Sequence, residues 1–135
     1  MDQTNQQRIF LGLDTAVRVC HGASRRAGWY TDPVTGEDLR RNVGEMLCLI
    51  HSEISEGMEG YRKGLKDDKL PHRSMIEVEL ADALIRIFDL AGYLETLPEY
   101  EGFDLAGAVL EKVEFNTTRP DHKLEARRLP GGKAF

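Results

Sequence analysis

The sequence has few cysteines and no long apolar run. Two cysteines, Cys20 and Cys48, stand among 135 residues without metal-type spacing, so neither a disulfide framework nor a zinc site is indicated. No segment approaches the ~20 apolar residues of a membrane-spanning helix. The first ten residues, MDQTNQQRIF, lack the basic and apolar regions of a signal peptide. We therefore expect a cytoplasmic protein with reduced thiols and no membrane partner.

An excess of basic residues is also missing. The chain has 18 lysines and arginines and 23 aspartates and glutamates, which gives a net charge of -5. A broad nucleic-acid footprint needs a basic surface, so we expect no nucleic-acid partner. A convincing run of period-two alternation, which would indicate strands, is absent too. At this length the chain predicts a single domain, residues 1–135.

Apolar residues recur at helical intervals in four segments, each with start or stop signals. The first helix is predicted at roughly 5–21, after Thr4 and Gln7 at capping-box spacing; the second from near Asn42 to Gly64; the third from Ser74 through Leu94; and the fourth from near Asp104 to Pro120. These four amphipathic helices predict an all-α fold, most economically a four-helix bundle. The tail, residues 124–135, is predicted to be loose or held by a partner.

The second and third helices carry the clearest apolar patterns. On the second helix, five residues form one stripe that we expect to be buried: Leu47, Ile50, Ile54, Met58 and Tyr61. Gly57 and Gly60 should weaken its last turns by about 1 kcal/mol each relative to alanine. The third helix is apolar over much of its circumference, which predicts a place in the middle of the structure.

Acidic side chains repeat at three-residue intervals beside these apolar stripes. HSEISEGMEGYRKG carries Glu53, Glu56 and Glu59, and VELADALIRIFDL carries Glu79 and Asp82. Residues three or four apart share one face of a helix. Four carboxylates, those of Glu53, Glu56, Glu79 and Asp82, are therefore expected to meet where the two helices pack.

Two interpretations of these acids compete. One Glu-x-x-Glu pair on a helix is usually solvated surface, but Glu79 and Asp82 lie on a helix with little polar surface. Like charges near a core raise their own pKa values or open the site unless a cation compensates them. Ligands that are all oxygen atoms suit Mg²⁺, or Mn²⁺ as a substitute, better than zinc.

A basic cluster follows near the end of the fourth helix. Lys112, Asn116 and Arg119 are spaced four and three residues apart. One interpretation is favourable positive charge at a helix C-terminus. The other is a phosphate-binding group, with lysine as a point charge, arginine as a fork and asparagine as a neutral donor. Beside a metal-binding acid cluster, the second interpretation predicts a triphosphate site.

In this order, SEISE, ELAD and KVEFNTTRPDHK resemble the MazG-like branch of the all-α nucleoside triphosphate pyrophosphohydrolases. The similarity runs from about Gly28 to Lys123. It implies that Glu53, Glu56, Glu79 and Asp82 hold Mg²⁺, and that Lys112, Asn116 and Arg119 contact the phosphates. Ser52 stands where the family often has the first of two adjacent acids, which leaves the number of metal ions open.

The resemblance also implies an activity and an assembly. Water would attack the α-phosphorus of a nucleoside triphosphate, with Glu53 or Glu56 as the catalytic base, to give a monophosphate and pyrophosphate. Single-domain phage and bacterial members adjust nucleotide pools, so we expect a purine substrate, dGTP first, in a bacterial or phage-infected cytoplasm. Homodimers or homotetramers complete the bundle in such proteins.

The alternative function is a non-catalytic helical module that binds partners through its apolar faces. Paired acids on two helices favour the enzyme, because a scaffold has no need of them. Two interpretations are also open for Trp29 and Tyr30. They would either stack on a nucleobase or anchor a loop on the bundle.

Overall fold

The computed structural model describes residues 1–132 and is all-α over that range. Its five α-helices are α1 (Gln3–Arg26), α2 (Val43–Lys63), α3 (Met75–Leu94), α4 (Leu105–Thr118) and α5 (Leu124–Arg127), with short 3₁₀ turns at Pro98–Tyr100 and Pro120–His122. Within the described range the only extended pairings are two isolated bridges, Thr31 with Asp38 and Lys66 with Ser74. The predicted all-α class is confirmed, while completion of a four-helix bundle by other copies of the chain stays a prediction.

Local capping chemistry sets the ends of α2, α3 and α4. The Asn42 side chain accepts a hydrogen bond from the backbone N–H of Glu45 at 3.2 Å, and Gly64 ends α2 with a left-handed φ of 63°. The Glu77 carboxylate accepts hydrogen bonds from the backbone N–H and the hydroxyl of Ser74, at 3.0 and 2.9 Å. Asp104 caps α4. These boundaries agree with the predicted ones because capping signals are local.

The first helix is longer than predicted. It begins at Gln3, where Asp2 accepts a hydrogen bond from the backbone N–H of Asn5, and it continues to Arg26. The proposed capping box of Thr4 and Gln7 is therefore wrong, because an acidic residue two positions earlier already satisfies the first free N–H groups.

The described residues form two compact units. The first comprises residues 15–103, with the C-terminal part of α1 and all of α2 and α3; the second comprises residues 1–14 and 104–132, with the start of α1 and all of α4 and α5. The core of the first unit is a cluster of five buried residues: Tyr30, Met46, Leu90, Tyr93 and Leu94. Its aromatic members, Tyr30 and Tyr93, lie with ring centroids 5.1 Å apart.

Helix α2 packs on α3 through small and polar residues. Its buried positions are Met46, Glu53, Gly57 and Gly60. A Cβ atom added at Gly60 would lie 2.8 Å from the Cβ of Met75, and one at Gly57 would lie 3.4 Å from the Cβ of Glu79. The two glycines let the helices approach closely. Their cost in helix propensity is offset by this packing, and α2 continues unbroken to Lys63.

Most of the apolar stripe of α2 faces away from α3. Leu47, Ile54, Met58 and Tyr61 are all exposed, and Tyr61 retains 71% of its accessible surface. On α3, Leu80 and Leu84 are about half exposed as well. Ile50, the fifth residue of the stripe, is partly buried against the core cluster. For the other four residues the expectation of burial is wrong, because the Glu53, Gly57 and Gly60 face makes the contact with α3 instead.

The C-terminal segment contains short structure. Leu124–Arg127 forms α5. The sequence predicted a loose tail over residues 124–135 and did not predict this helix. Lys133, Ala134 and Phe135 lie outside the described residues. None of the helices described between residues 1 and 132 has both the length and the apolar character required to cross a membrane.

Candidate metal centre

Three of the four predicted acids lie together where α2 packs on α3. One carboxylate oxygen each from Glu53, Glu56 and Glu79 falls within 4.8 Å of the others. Glu53 and Glu79 are buried, while Glu56 is exposed. Asp82 lies one turn after Glu79 and lines the same cleft, but it is not a member of this close group.

The carboxyl group of Glu79 lies in the most unfavourable environment of the three. The residue is only 7% exposed. Burial, a hydrogen bond shared with Glu53, and the negative charges of Glu56, Glu53 and Asp82 together raise the pKa of Glu79 from 4.5 to about 7. Within residues 1–132 it forms no ion pair, so no cationic side chain there compensates a negative charge on Glu79. A bound cation would supply that compensation.

The negative charge of Glu53 is partly compensated by an ion pair with Arg86. Its Oε1 accepts a hydrogen bond from Arg86 Nε at 2.5 Å, and the Glu53 side chain is 9% exposed. Arg86 lies on α3, two turns after Glu79, so the ion pair joins α2 to α3. One oxygen of Glu53 remains available to a cation.

The set of donors fits a hard divalent ion. Three carboxylate groups converge without a cysteine or histidine among them. Mg²⁺ and Mn²⁺ prefer carboxylate and water oxygens, whereas zinc sites are usually built from histidine and cysteine. Ser52 stands where the MazG-like family often has a further acid. Its hydroxyl donates a hydrogen bond to the backbone oxygen of Leu49 at 2.7 Å.

The cleft beside these acids has a volume of about 630 Å³, and the loop between α2 and α3 forms part of its wall. Lys66, Asp67, Asp68 and Lys69 line it together with the acids. The sequence analysis did not identify these residues. The available signal was the run of four charged residues in KDDK, which begins two residues after the Gly64 stop and marks a short, charged loop next to the acidic helix.

A second cavity, of about 260 Å³, is largely apolar and lies next to the acid cluster. Arg86 lines it, as do Trp29, Arg41, Met46 and Asp89. Trp29 is 64% exposed, whereas its neighbour Tyr30 is 2% exposed and belongs to the core. The two aromatic residues therefore have different roles. Tyr30 anchors the loop, and the indole ring of Trp29 remains available to a ligand.

Asp89 is fixed in place by two partners. Its Oδ1 accepts a hydrogen bond from the hydroxyl of Tyr30 at 2.8 Å and lies 2.9 Å from His21 Nδ1. Burial and the nearby Asp89 carboxylate raise the pKa of Tyr30, so its hydroxyl stays a donor. Because these partners are separated by 59 and 68 positions in the chain, no local pattern could have revealed the arrangement.

The predicted phosphate-binding residues lie in the other compact unit. Lys112 Nζ lies 4.8 Å from the centroid of the Phe115 ring. The guanidinium of Arg119, just after the last residue of α4, donates two hydrogen bonds to Asp121, at 3.0 and 2.6 Å. The side-chain oxygen of Asn116 is buried and has no hydrogen-bond partner among residues 1–132. The role of these three residues in phosphate binding stays a prediction.

Comparison with protein-family models, with curated proteins and with solved structures finds no match to this chain.

Proposed function

We propose that this protein is a Mg²⁺-dependent nucleoside triphosphate pyrophosphohydrolase of the MazG-like type. The observation that carries the proposal is the buried Glu79 carboxyl group, which shares a site with Glu53 and Glu56 and has no cationic partner within residues 1–132. An uncompensated group of carboxylates is costly, and a divalent cation removes that cost. The order of the SEISE, ELAD and KVEFNTTRPDHK segments supports the same activity.

Glu53, Glu56 and Glu79 would hold the ion, with Asp82 at the edge of the same cleft. A bound Mg²⁺ supplies charge neutralisation at the phosphates and lowers the pKa of a coordinated water. The protein's own part is to orient the carboxylates, which it does by packing α2 on α3 and by holding Glu53 with Arg86.

The reaction consumes one water. Its oxygen forms a bond to the α-phosphorus, and the bond from that phosphorus to the oxygen bridging to the β-phosphorus breaks. Pyrophosphate leaves with the bonding electrons, and the nucleoside monophosphate remains. A carboxylate accepts the proton of the attacking water. Glu56 suits this role better than Glu53, because it is exposed while Glu53 is buried and bound to Arg86.

The neighbouring cavity supports a nucleobase as the recognised group. The Trp29 ring offers a surface for stacking, and Arg41 and Arg86 offer N–H donors. The bonds from Tyr30 and His21 both reach Oδ1 of Asp89, so Oδ2 can accept from a ligand. Arginine donors match N7 and O6 of guanine, and a carboxylate matches its N1–H and amino group. This combination favours a guanine nucleotide, and the resemblance to phage-encoded proteins makes dGTP the first one to test.

The exposed apolar stripe supports self-association. Leu47, Ile54, Met58 and Tyr61 on α2 and the neighbouring apolar residues of α3 would be covered in a homodimer or homotetramer. The same stripe favours the second candidate function, a helical module that binds another protein. The two candidates differ in what they require of the acids, since only the enzyme depends on Glu79.

The test is a panel of ribonucleoside and deoxyribonucleoside triphosphates with Mg²⁺ and separate detection of pyrophosphate and phosphate. The proposal expects pyrophosphate and monophosphate in equal amounts, and no turnover in Glu79→Gln. Release of phosphate and diphosphate would contradict the proposed position of attack. Absence of turnover throughout the panel, together with a stable hetero-complex formed through the α2 stripe, would favour the interaction module.

A further inference from the structure

The loop between α2 and α3 brings positive charge to a cleft that is otherwise acidic. Six carboxylate side chains line this cleft, those of Glu53, Glu56, Asp67, Asp68, Glu79 and Asp82, and so do two lysines, Lys66 and Lys69. A metal ion can account for the close group of acids, but it does not account for ammonium groups beside them. A ligand that carries negative charge and binds together with the metal accounts for both.

The backbone of this loop is held at fixed points. The carbonyl of Leu65 accepts a hydrogen bond from Met75 N–H at 3.0 Å, and Asp67 N–H donates to the carbonyl of Arg73 at 3.2 Å. The Asp67 carboxylate is buried and accepts a hydrogen bond from the backbone N–H of Lys69 at 3.0 Å. Asp67 therefore stabilises the conformation of the loop. The side chains of both lysines extend from a backbone that these hydrogen bonds hold in place.

The two ammonium groups are not paired with the acids around them. Neither Lys66 nor Lys69 forms an ion pair within residues 1–132. Lys63, the last residue of α2, behaves differently, because its ammonium group forms an ion pair with Glu59. The cleft lysines therefore keep their hydrogen-bond donors for a ligand, whereas Lys63 does not line the cleft and is already engaged.

We propose that Lys66 and Lys69 bind the phosphate chain of the nucleotide in the acid cleft, on the β- and γ-phosphates that leave as pyrophosphate. This inference rests on the proposed function and names the protein groups that hold the leaving group. Lysine ammonium groups bind phosphate oxygens as point charges and stabilise the charge that develops on a leaving pyrophosphate. These lysines bring positive charge to the cleft that the carboxylates line.

The experiment measures binding of inorganic pyrophosphate to the full-length protein by calorimetry, at a fixed saturating Mg²⁺ concentration. Lys66→Met and Lys69→Met remove the charge and retain most of the apolar stem. Each should weaken pyrophosphate binding by about tenfold or more, which is the effect of losing one charge-assisted contact. Lys63→Met is the matched control and should bind pyrophosphate as the wild type does. Lys66→Arg should retain part of the affinity.

Mg²⁺ binding is also measured without pyrophosphate. This measurement distinguishes a direct contact between lysine and phosphate from a general effect of lysine charge on the acids. Removal of a lysine should leave the Mg²⁺ affinity unchanged or increase it, because positive charge next to the acids is lost. Wild-type turnover of nucleotides combined with unchanged pyrophosphate affinity in both lysine variants would overturn this inference and leave the proposed function standing. A wild type that neither binds pyrophosphate nor hydrolyses any nucleotide would overturn both.

Discussion

Arg86 and Glu53 form an ion pair that joins α3 to α2 beside the acid cluster, with 2.5 Å between Arg86 Nε and Glu53 Oε1. The carboxylate end of the pair is buried and the guanidinium end is 42% exposed. The pair therefore does two things. It neutralises one of three converging acids, and it connects the cleft of the proposed metal site to the cavity that Arg86 also lines.

Arg86→Met should destabilise the protein, because it leaves the buried Glu53 without its counter-charge. Breaking a fully buried pair costs 3–5 kcal/mol, and the exposure of Arg86 reduces the expected loss to about 1–3 kcal/mol. Urea denaturation without divalent ions provides the measurement. The double variant Arg86→Met with Glu53→Gln should regain part of the loss. Equal stability of the single and double variants would show that the charge of Glu53 needs no partner.

Glu79→Gln should stabilise the metal-free protein and abolish its response to Mg²⁺. At pH 8 the wild type must keep a carboxylate charged in a site that raises its pKa to about 7, and the amide removes that cost, by about 1–3 kcal/mol. Mg²⁺ should raise the melting temperature of the wild type, because it binds only the folded state. Glu95→Gln, at the end of α3 and away from the cleft, should keep the response to Mg²⁺. A wild-type melting temperature that ignores millimolar Mg²⁺ would contradict the metal site.

The same group predicts how stability depends on pH. The pKa of Glu79 is higher in the folded state, about 7, than its ordinary value of 4.5, so the folded state binds more protons between those values. The free energy of unfolding of the metal-free protein should therefore fall as the pH rises through this window. Glu79→Gln should show a smaller decrease. With saturating Mg²⁺ the decrease should be reduced or reversed, because the ion binds the ionised carboxylates.

Much of the fold follows from local signals in the sequence. Asn42, Ser74 and Asp104 are side chains that accept or organise hydrogen bonds at helix starts, and each acts within three or four residues of its own position. The spacing of the acids was equally local, so helical geometry predicts that Glu53 and Glu56 share one face of α2. Their meeting with Glu79 depends in addition on the packing of α2 on α3.

The buried face of α2 could not be predicted in the same way. Leu47, Ile54 and Met58 form the more apolar stripe, yet the face with Gly57 and Gly60 contacts α3. Hydrophobic periodicity ranks the faces of an isolated helix, whereas close helix packing depends on small residues that match the partner helix. The Arg86–Glu53 pair depends on that packing, and for this reason it was not predicted.

The two glycines of this interface should respond differently to alanine. Both substitutions gain about 1 kcal/mol in helix propensity. Gly57→Ala adds a Cβ at an ordinary contact distance of 3.4 Å from the Cβ of Glu79, so it should be neutral or mildly stabilising. Gly60→Ala adds one 2.8 Å from the Cβ of Met75 and should cost about 1–3 kcal/mol, because the helices must separate. Urea denaturation of both variants provides the comparison, and equal effects would contradict the close approach at Gly60.

The three-residue repeat of acids on α2 provides a test of catalysis with an internal control. Glu56 lies in the acid group, while Glu59, one step further along, forms ion pairs with Arg62 and Lys63. If Glu56 accepts the proton of the attacking water and holds the ion, Glu56→Gln should lower kcat/KM by about 10²- to 10⁴-fold, the usual effect of losing a general base. Glu59→Gln changes the same chemical group on the same helix and should keep turnover near the wild-type value. The measurement is pyrophosphate release, with circular dichroism to show that both variants remain helical. Equal losses in the two variants would point to a general effect of charge on α2, and near wild-type turnover in Glu56→Gln would remove Glu56 from the catalytic site.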